Sequence, residues 1–267
     1  METSEFARSM REICLKLSFE KKSAHLASSL SVVDILAVLF QQFLEYNVAA
    51  KKFRFDNHLL LSKGHSASAL YAALYLKNII SEEELHSYCD PGSFFEEHPN
   101  THVPTVDFPT GSLGHGLPLS CGLALGNKVL NLPGQIFVVM SDGECNEGTV
   151  WESAQFAHSK NLNNLVAIID HNKFQATGPI TESLGNISLS EVFKSFGWHV
   201  QEIDGHNLDE IKKALDCAKK SSLPSAIVAN TIKGRGIDFM ENDNNWHYRS
   251  PNETELKNAL RLLGSSS

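Results

Sequence analysis

Residues 135–178 read QIFVVMSDGECNEGTVWESAQFAHSKNLNNLVAIIDHNKFQATG. The apolar run Ile136-Phe137-Val138-Val139-Met140 is followed by a sharp turn at Ser141-Asp142-Gly143. A helical segment from about Gly148 to Lys160 leads to a second apolar run, Leu165-Val166-Ala167-Ile168-Ile169, which ends in Asp170-His171-Asn172-Lys173. This is strand, loop, helix, strand. In a parallel βαβ unit both strand ends fall on one edge of the sheet, where α/β proteins bind ligands. Asp142 and Asn172 then converge on a site suited to a hard cation that holds a phosphate.

Outward from this unit the chain keeps alternating. Helices are expected at 4–20, from Ser31 to about Glu45, from Ser66, at 117–130, 190–196, 207–219 and 253–263. Strands are expected at 57–62, 198–203 and 225–231. Ser81-Glu82-Glu83-Glu84 is a capping box. Segments 21–31, 89–116 and 174–186 read as loops, and the middle one is long enough to imply a function. The pattern predicts an α/β fold, a mostly parallel sheet with helices on both faces. One domain accounts for the 267 residues.

The net charge of −8 and the scattered lysines and arginines exclude a general nucleic-acid binder. No uninterrupted apolar run reaches the length of a membrane span, and the acidic start is unlike a secretory signal. Five cysteines without a CxxC pair fit reduced thiols in the cytoplasm.

Chemistry concentrates in loops. His25, His65, His98, His115 and His247 all lie in or beside Gly-, Ser- or Pro-containing loops, which points to a shared pocket. Their spacing lacks the HxxxH or Cys/His pattern of a zinc site. The glycine-rich pieces Gly111-Ser112-Leu113-Gly114-His115-Gly116 and Lys233-Gly234-Arg235-Gly236 match neither a dinucleotide fingerprint nor a P-loop.

Taken in order, these pieces resemble the transketolase family over nearly the whole chain. Asp142-Gly143, Glu147-Gly148 and Asn172-Lys173 are similar to the thiamine diphosphate signature, which begins GDG and ends at an Asn about thirty positions later. Leu61-Ser62-Lys63-Gly64-His65, His98-Pro99, Thr110-Gly111-Ser112-Leu113-Gly114 and Lys233-Gly234-Arg235-Gly236 with Trp246-His247 resemble further transketolase segments. The resemblance implies a cation, Mg²⁺ or Ca²⁺, on Asp142, Asn172 and the Phe174 carbonyl. It implies thiamine diphosphate contacts at Ser28, His65, Gly111, Ser112, Leu113, Asp142, Gly143, Glu147, Asn172, Lys233 and His247. It assigns catalytic proton transfer and hydroxyl binding to His25, His98 and His247, and it puts Glu147 at a contact between subunits.

A full transketolase continues into pyrimidine-binding and C-terminal domains. This chain is therefore expected to be the N-terminal subunit of a split transketolase in an α2β2 heterotetramer, transferring a two-carbon ketol unit between sugars or sugar derivatives and inactive alone. The alternatives are other thiamine diphosphate chemistry (deoxyxylulose-phosphate synthesis or 2-oxo acid decarboxylation) and a non-catalytic cofactor-binding subunit. Four departures from the family pattern bear on specificity: Ser141 for the first Gly of GDG, His115 for Gln, Leu26-Ala27 after His25, and Tyr248 for the Gly after His247.

Overall fold

The computed structural model describes residues 1–50, 52–183, 185 and 187–264. Its centre is a five-stranded sheet, all parallel, in the order β3-β4-β5-β7-β6. The strands are β3 (His58–Leu61), β4 (Ile136–Ser141), β5 (Leu165–His171), β6 (His199–Asp204) and β7 (Ser225–Asn230). A two-residue hairpin, β1 (Tyr46–Asn47) with β2 (Lys52–Phe53), precedes them. The helices are α1 (Thr3–Lys21), α2 (Leu26–Val38), α3 (Ala67–Leu76), α4 (Glu82–His86), α5 (Gly116–Leu130), α6 (Gly148–Ser159), α7 (Ile180–Ser183), α8 (Leu189–Ser195), α9 (Leu208–Ala218) and α10 (Glu253–Gly264).

Strand periodicity divides the core in two. Phe137 and Val139 of β4, with Val166 and Ile168 of β5, face the apolar layer formed by α1, α2, α3, α9 and α10. Ile136, Val138 and Met140, with Leu165, Ala167 and Ile169, face the layer of α5, α6 and α8. Burial on both faces is why β4 and β5 read as unbroken apolar runs.

Helix ends follow local chemistry. Ser81 and Glu84 exchange side chain–backbone hydrogen bonds at the start of α4, as the capping box requires. The Asn207 side chain accepts from the N–H groups of Asp209 and Glu210 at the start of α9. The expected loop 21–31 is shorter than its sequence implied. α2 starts at Leu26 and is capped by His25 in the left-handed conformation, φ 64°. Its serines misled the reading because Ser28, Ser29 and Ser31 are buried and turned into the molecule. α2 then runs into a π turn, Leu39–Phe43. The window Leu26–Phe43 has the length and composition to cross a membrane, which reading for uninterrupted apolar runs missed, yet 83% of it is buried inside the fold. Loop 174–186 contains the one-turn α7, and Leu184 and Asn186 at its end lie outside the described residues. Loop 89–116 has neither helix nor strand until α5 begins at Gly116.

Candidate active site

Because the sheet is parallel, the segments leaving β3 (Ser62 to His65), β4 (Ser141, Asp142), β5 (Asp170 to Asn172) and β7 (Thr231 to Lys233) open on one edge. Two neighbourhoods of chemistry form there.

The first is a cluster of four histidines from four separate segments. The ring of His25 lies 5.4 Å from His65, 6.1 Å from His98 and 5.1 Å from His247, and His65 lies 6.1 Å from His247. The His25 N–H donates to the His247 carbonyl at 2.7 Å, which ties the start of α2 to the turn Asn244–His247. His98 packs on the glycine loop. Gly111 has φ 128°, and a Cβ added there would stand 2.5 Å from His98 Cδ2, so any side chain there is strained and must displace the His98 ring. Gly64 is equally tight, since a Cβ would lie 2.8 Å from the Gly111 N and from Thr110 Oγ1.

Three of these imidazoles, His25, His65 and His247, are biased toward the neutral form. Burial, followed by the charge of Lys63, puts His65 well below the ordinary histidine range. Burial also lowers His25 against the opposing pull of Glu97. Burial, then Lys233, lowers His247 to about 3. The Lys233 ammonium donates to His247 Nδ1 at 3.0 Å, to Asn244 Oδ1 at 2.6 Å and to the Gln175 carbonyl at 3.3 Å. A donor on Nδ1 leaves the neutral His247 ring with its proton on Nε2. Burial lowers Lys233 itself to about 8.

The second neighbourhood is built on Asp142, a carboxylate only 2% exposed. Its oxygens accept from the Gly143 N–H at 2.8 Å and the Lys173 N–H at 2.5 Å. Burial, reinforced by Asp170, pushes its carboxyl up to about 7. Asn172 is also buried, and its Oδ1 accepts from the Phe174 N–H at 3.0 Å. Among the described residues no group of three His, Cys, Asp or Glu side chains forms a metal site. The set of one carboxylate, one amide oxygen and the Phe174 carbonyl is all oxygen, and it is short of a full shell for Mg²⁺ or Ca²⁺ unless a ligand phosphate completes it. Among the described residues no cationic side chain is hydrogen-bonded to this buried carboxylate, which fits that use, and Thr110 Oγ1 is buried without a hydrogen-bond partner beside the glycine cradle.

Between the two neighbourhoods runs a buried ion pair that sequence reasoning missed. Lys63 and Asp170 are both wholly buried and in contact. Lys63 also donates to the Ser28 carbonyl at 3.0 Å. Asp170 accepts from Ser31 Oγ at 2.6 Å and from Thr231 Oγ1. Four segments, the ends of β3, β5 and β7 and the first turn of α2, are thereby tied together. Glu144, also missed, is wholly buried and binds the glycine loop, accepting from the Gly114 N–H at 2.9 Å, from Ser62 Oγ and from the Ser141 N–H at 3.3 Å. The signal for Asp170 was present in the Asp-His-Asn triplet, whereas Glu144 offered nothing beyond its place after Gly143.

The other expected residues fall as follows. Gly143 opens the short helical turn Gly143–Asn146. Ser28 is buried in α2, and its carbonyl accepts from Lys63, Ser31 and Ser66. Ser112 is exposed and Leu113 half-buried on the glycine loop. Glu147 is exposed at the start of α6, its Cβ against Gly114. His115 does not join the shared pocket predicted for it. It is exposed at the start of α5, with Nδ1 3.1 Å from the Leu113 carbonyl, because Gly114 turns the chain away before it. Tyr248 is 68% exposed and stacks edge-on against His247 at 4.6 Å and His25 at 5.8 Å.

A family model described as the transketolase thiamine diphosphate binding domain matches residues 3–266. The chain belongs to this transketolase family. It is 37% identical to the 6-deoxy-6-sulfo-D-fructose transketolase subunit SqwG of Clostridium sp. (strain MSTE9), covering 96% of this chain and 94% of that protein. It is 31% identical to an apulose-4-phosphate transketolase subunit of Phocaeicola vulgatus, covering 94% of this chain and 90% of that protein. Among solved structures, the transketolase of Campylobacter jejuni superposes with a TM-score of 0.89 at 27% identity, covering 98% of this chain and 42% of that one. The transketolase-family chain thus spans less than half of that longer transketolase, and the match confirms the parallel α/β fold.

Proposed function

We propose that this chain is the diphosphate-binding subunit of a thiamine diphosphate-dependent transketolase, moving a two-carbon ketol unit from a ketose to an aldose. The observation that carries the reading is the convergence of four histidines from four segments on the sheet edge that also bears Asp142 and Asn172. Neutral imidazoles donate and accept hydrogen bonds at once, which suits a polyol whose hydroxyls must lose and regain protons. When bound, the cofactor supplies the electron sink for breaking and making the C–C bond.

In this reading residues 1–267 form one diphosphate-binding domain. Asp142, Asn172 and the Phe174 carbonyl hold Mg²⁺, with Ca²⁺ as the second choice. Gly111, Ser112, Leu113 and Gly143 line the diphosphate. His65, Ser28, Lys233 and His247 bound the cofactor's other contacts, and His25, His98 and His247 handle substrate protons. Glu147, exposed beside the glycine loop, faces a neighbouring subunit. The partner is a chain carrying the pyrimidine-binding domain, in an α2β2 assembly, since two relatives of matching length are named as subunits. Those names also favour sugar derivatives as substrates, and Tyr248 above the histidines makes the pocket mouth unlike that of the wider family. Five free thiols favour a reducing compartment, and we assign the chain to the cytoplasm.

Mixing the purified chain with its partner and screening donors tests the reading. Ketose-dependent transfer to an aldehyde acceptor is expected. Turnover of pyruvate in its place would move the assignment to the decarboxylase or deoxyxylulose-phosphate alternatives, and no cofactor binding at all would leave a non-catalytic subunit.

A further inference from the structure

Among the described residues, one carboxylate, that of Glu97, approaches the histidine cluster at His25. Glu97 immediately precedes His98 in loop 89–116, and its Oε1 accepts from the Ala24 N–H at 2.8 Å. That bond brings the loop against the residue before His25. The second oxygen, Oε2, then lies 4.0 Å from His25 Nδ1. His25 Nδ1 is buried and has no hydrogen-bond partner among the described residues. An acidic oxygen and an orphaned ring nitrogen therefore face each other a short distance beyond hydrogen-bond range, a gap of the kind that closes when substrate binds.

We infer that Glu97 is a positioning residue that holds the Nδ1–H of His25 and leaves Nε2 to exchange a proton with a substrate hydroxyl. The inference rests on the transketolase reading for its catalytic part, and the geometry stands without it. In that reading His25 Nε2 would take up the proton that a ketose hydroxyl releases as it becomes an aldehyde, the bound cofactor supplying the electron sink, and would return that proton to the hydroxyl formed from the acceptor aldehyde. Between these steps His25 would be an imidazolium, and among the described residues Glu97 is the carboxylate facing it. The other titratable groups around it are His98 on Glu97's own loop, His65 and Lys63 after β3, Lys233 after β7, and His247 with Tyr248 on the turn that caps α2. Burial, then His98, Lys233 and Lys63, disfavour the cation, and Glu97 is the group that favours it.

The test is a histidine ¹⁵N NMR titration of the full chain and its Glu97→Gln variant, which keeps an oxygen for the Ala24 N–H and removes the charge. Neutral His25 in the wild type is expected as the Nδ1–H tautomer. In the variant its titration should move down by roughly 0.5–1 pH unit, an opposite charge near 4 Å reduced because the Glu97 side chain is 33% exposed. In the enzyme assembled with its partner, the acid limb of kcat/KM should move down by the same amount. An unchanged His25 titration in the variant overturns the inference, and so does an Nε2–H tautomer in the wild type, which decides the matter even if the variant does not fold. The expected NMR result with no ketol transfer by the assembled wild type would uphold the Glu97–His25 pair and reject the transketolase reading.

Discussion

Asp142, assigned to the cation in the proposed function, weakens the fold that carries it. Its carboxyl titrates at about 7 in the folded chain against 3.8 for the free group, so it is easier to protonate folded than unfolded. Between those two values the folded state binds the extra proton, and stability falls as pH rises; above about 7 the full penalty is present. Asp142→Asn should therefore raise the stability of the unliganded chain at pH 8 by about 1–3 kcal/mol, the upper end limited by weaker hydrogen bonds to Gly143 and Lys173. Thermal melts check this, and calorimetry should show Mg²⁺-dependent thiamine diphosphate binding lost in the same variant. The histidines have the opposite sign. His25, His65 and His247 titrate below the ordinary 6.5, His247 at about 3, so on acidification below pH 6.5 the unfolded chain takes up protons the folded one refuses. In the Asp142→Asn background, where the two trends no longer cancel, the urea midpoint should fall steadily from pH 6.5 to 5. A midpoint that stays flat would mean that these rings are not buried neutral. The sequence announced the histidines by their loop positions but not which ones meet. His115 has the same kind of neighbours as His65 and ends on the surface, because one glycine turn separates it from the cluster.

At the scale of elements, the sheet edge is held by few contacts, and breaking them should have large effects. Lys63 and Asp170 are wholly buried and tie α2 to three strands. Asp170→Ala strands an ammonium in the interior and should cost about 3–5 kcal/mol, whereas Lys63→Met combined with Asp170→Leu should cost clearly less than Asp170→Ala. Denaturant titrations of the variants measure both. Gly111→Ala must move the His98 ring or a backbone held at φ 128°. It should weaken cofactor binding at least tenfold, roughly 1.4 kcal/mol, with a smaller effect on the melt than Asp170→Ala. Helix and strand positions were legible almost to the residue wherever periodicity was strong, as in β4, β5 and α6. The start of α2 was not, because its serines read as polar loop, and their partners Lys63, Ser68 and Asp170 are distant in sequence. Short pieces that owe their shape to tertiary contact, such as β1–β2 and α7, had no local signal.

For the whole molecule, a family resemblance read from five ordered motifs carried further than any single motif, and the match over residues 3–266 bears it out. What the motifs could not reveal is the knot beneath them, since Lys63, Asp170, Glu97 and Glu144 acquire meaning only once strand ends are neighbours. In the proposed function this edge holds the diphosphate half of a cofactor whose other half needs a second chain. The decisive measurement is ketol transfer from a ketose donor to an aldehyde acceptor, assayed with thiamine diphosphate and Mg²⁺ for this chain alone, the partner alone and the two mixed. Turnover is expected in the mixture alone, abolished by Asp142→Asn. Turnover by this chain alone, or a mixture indifferent to Asp142, would refute the two-chain site.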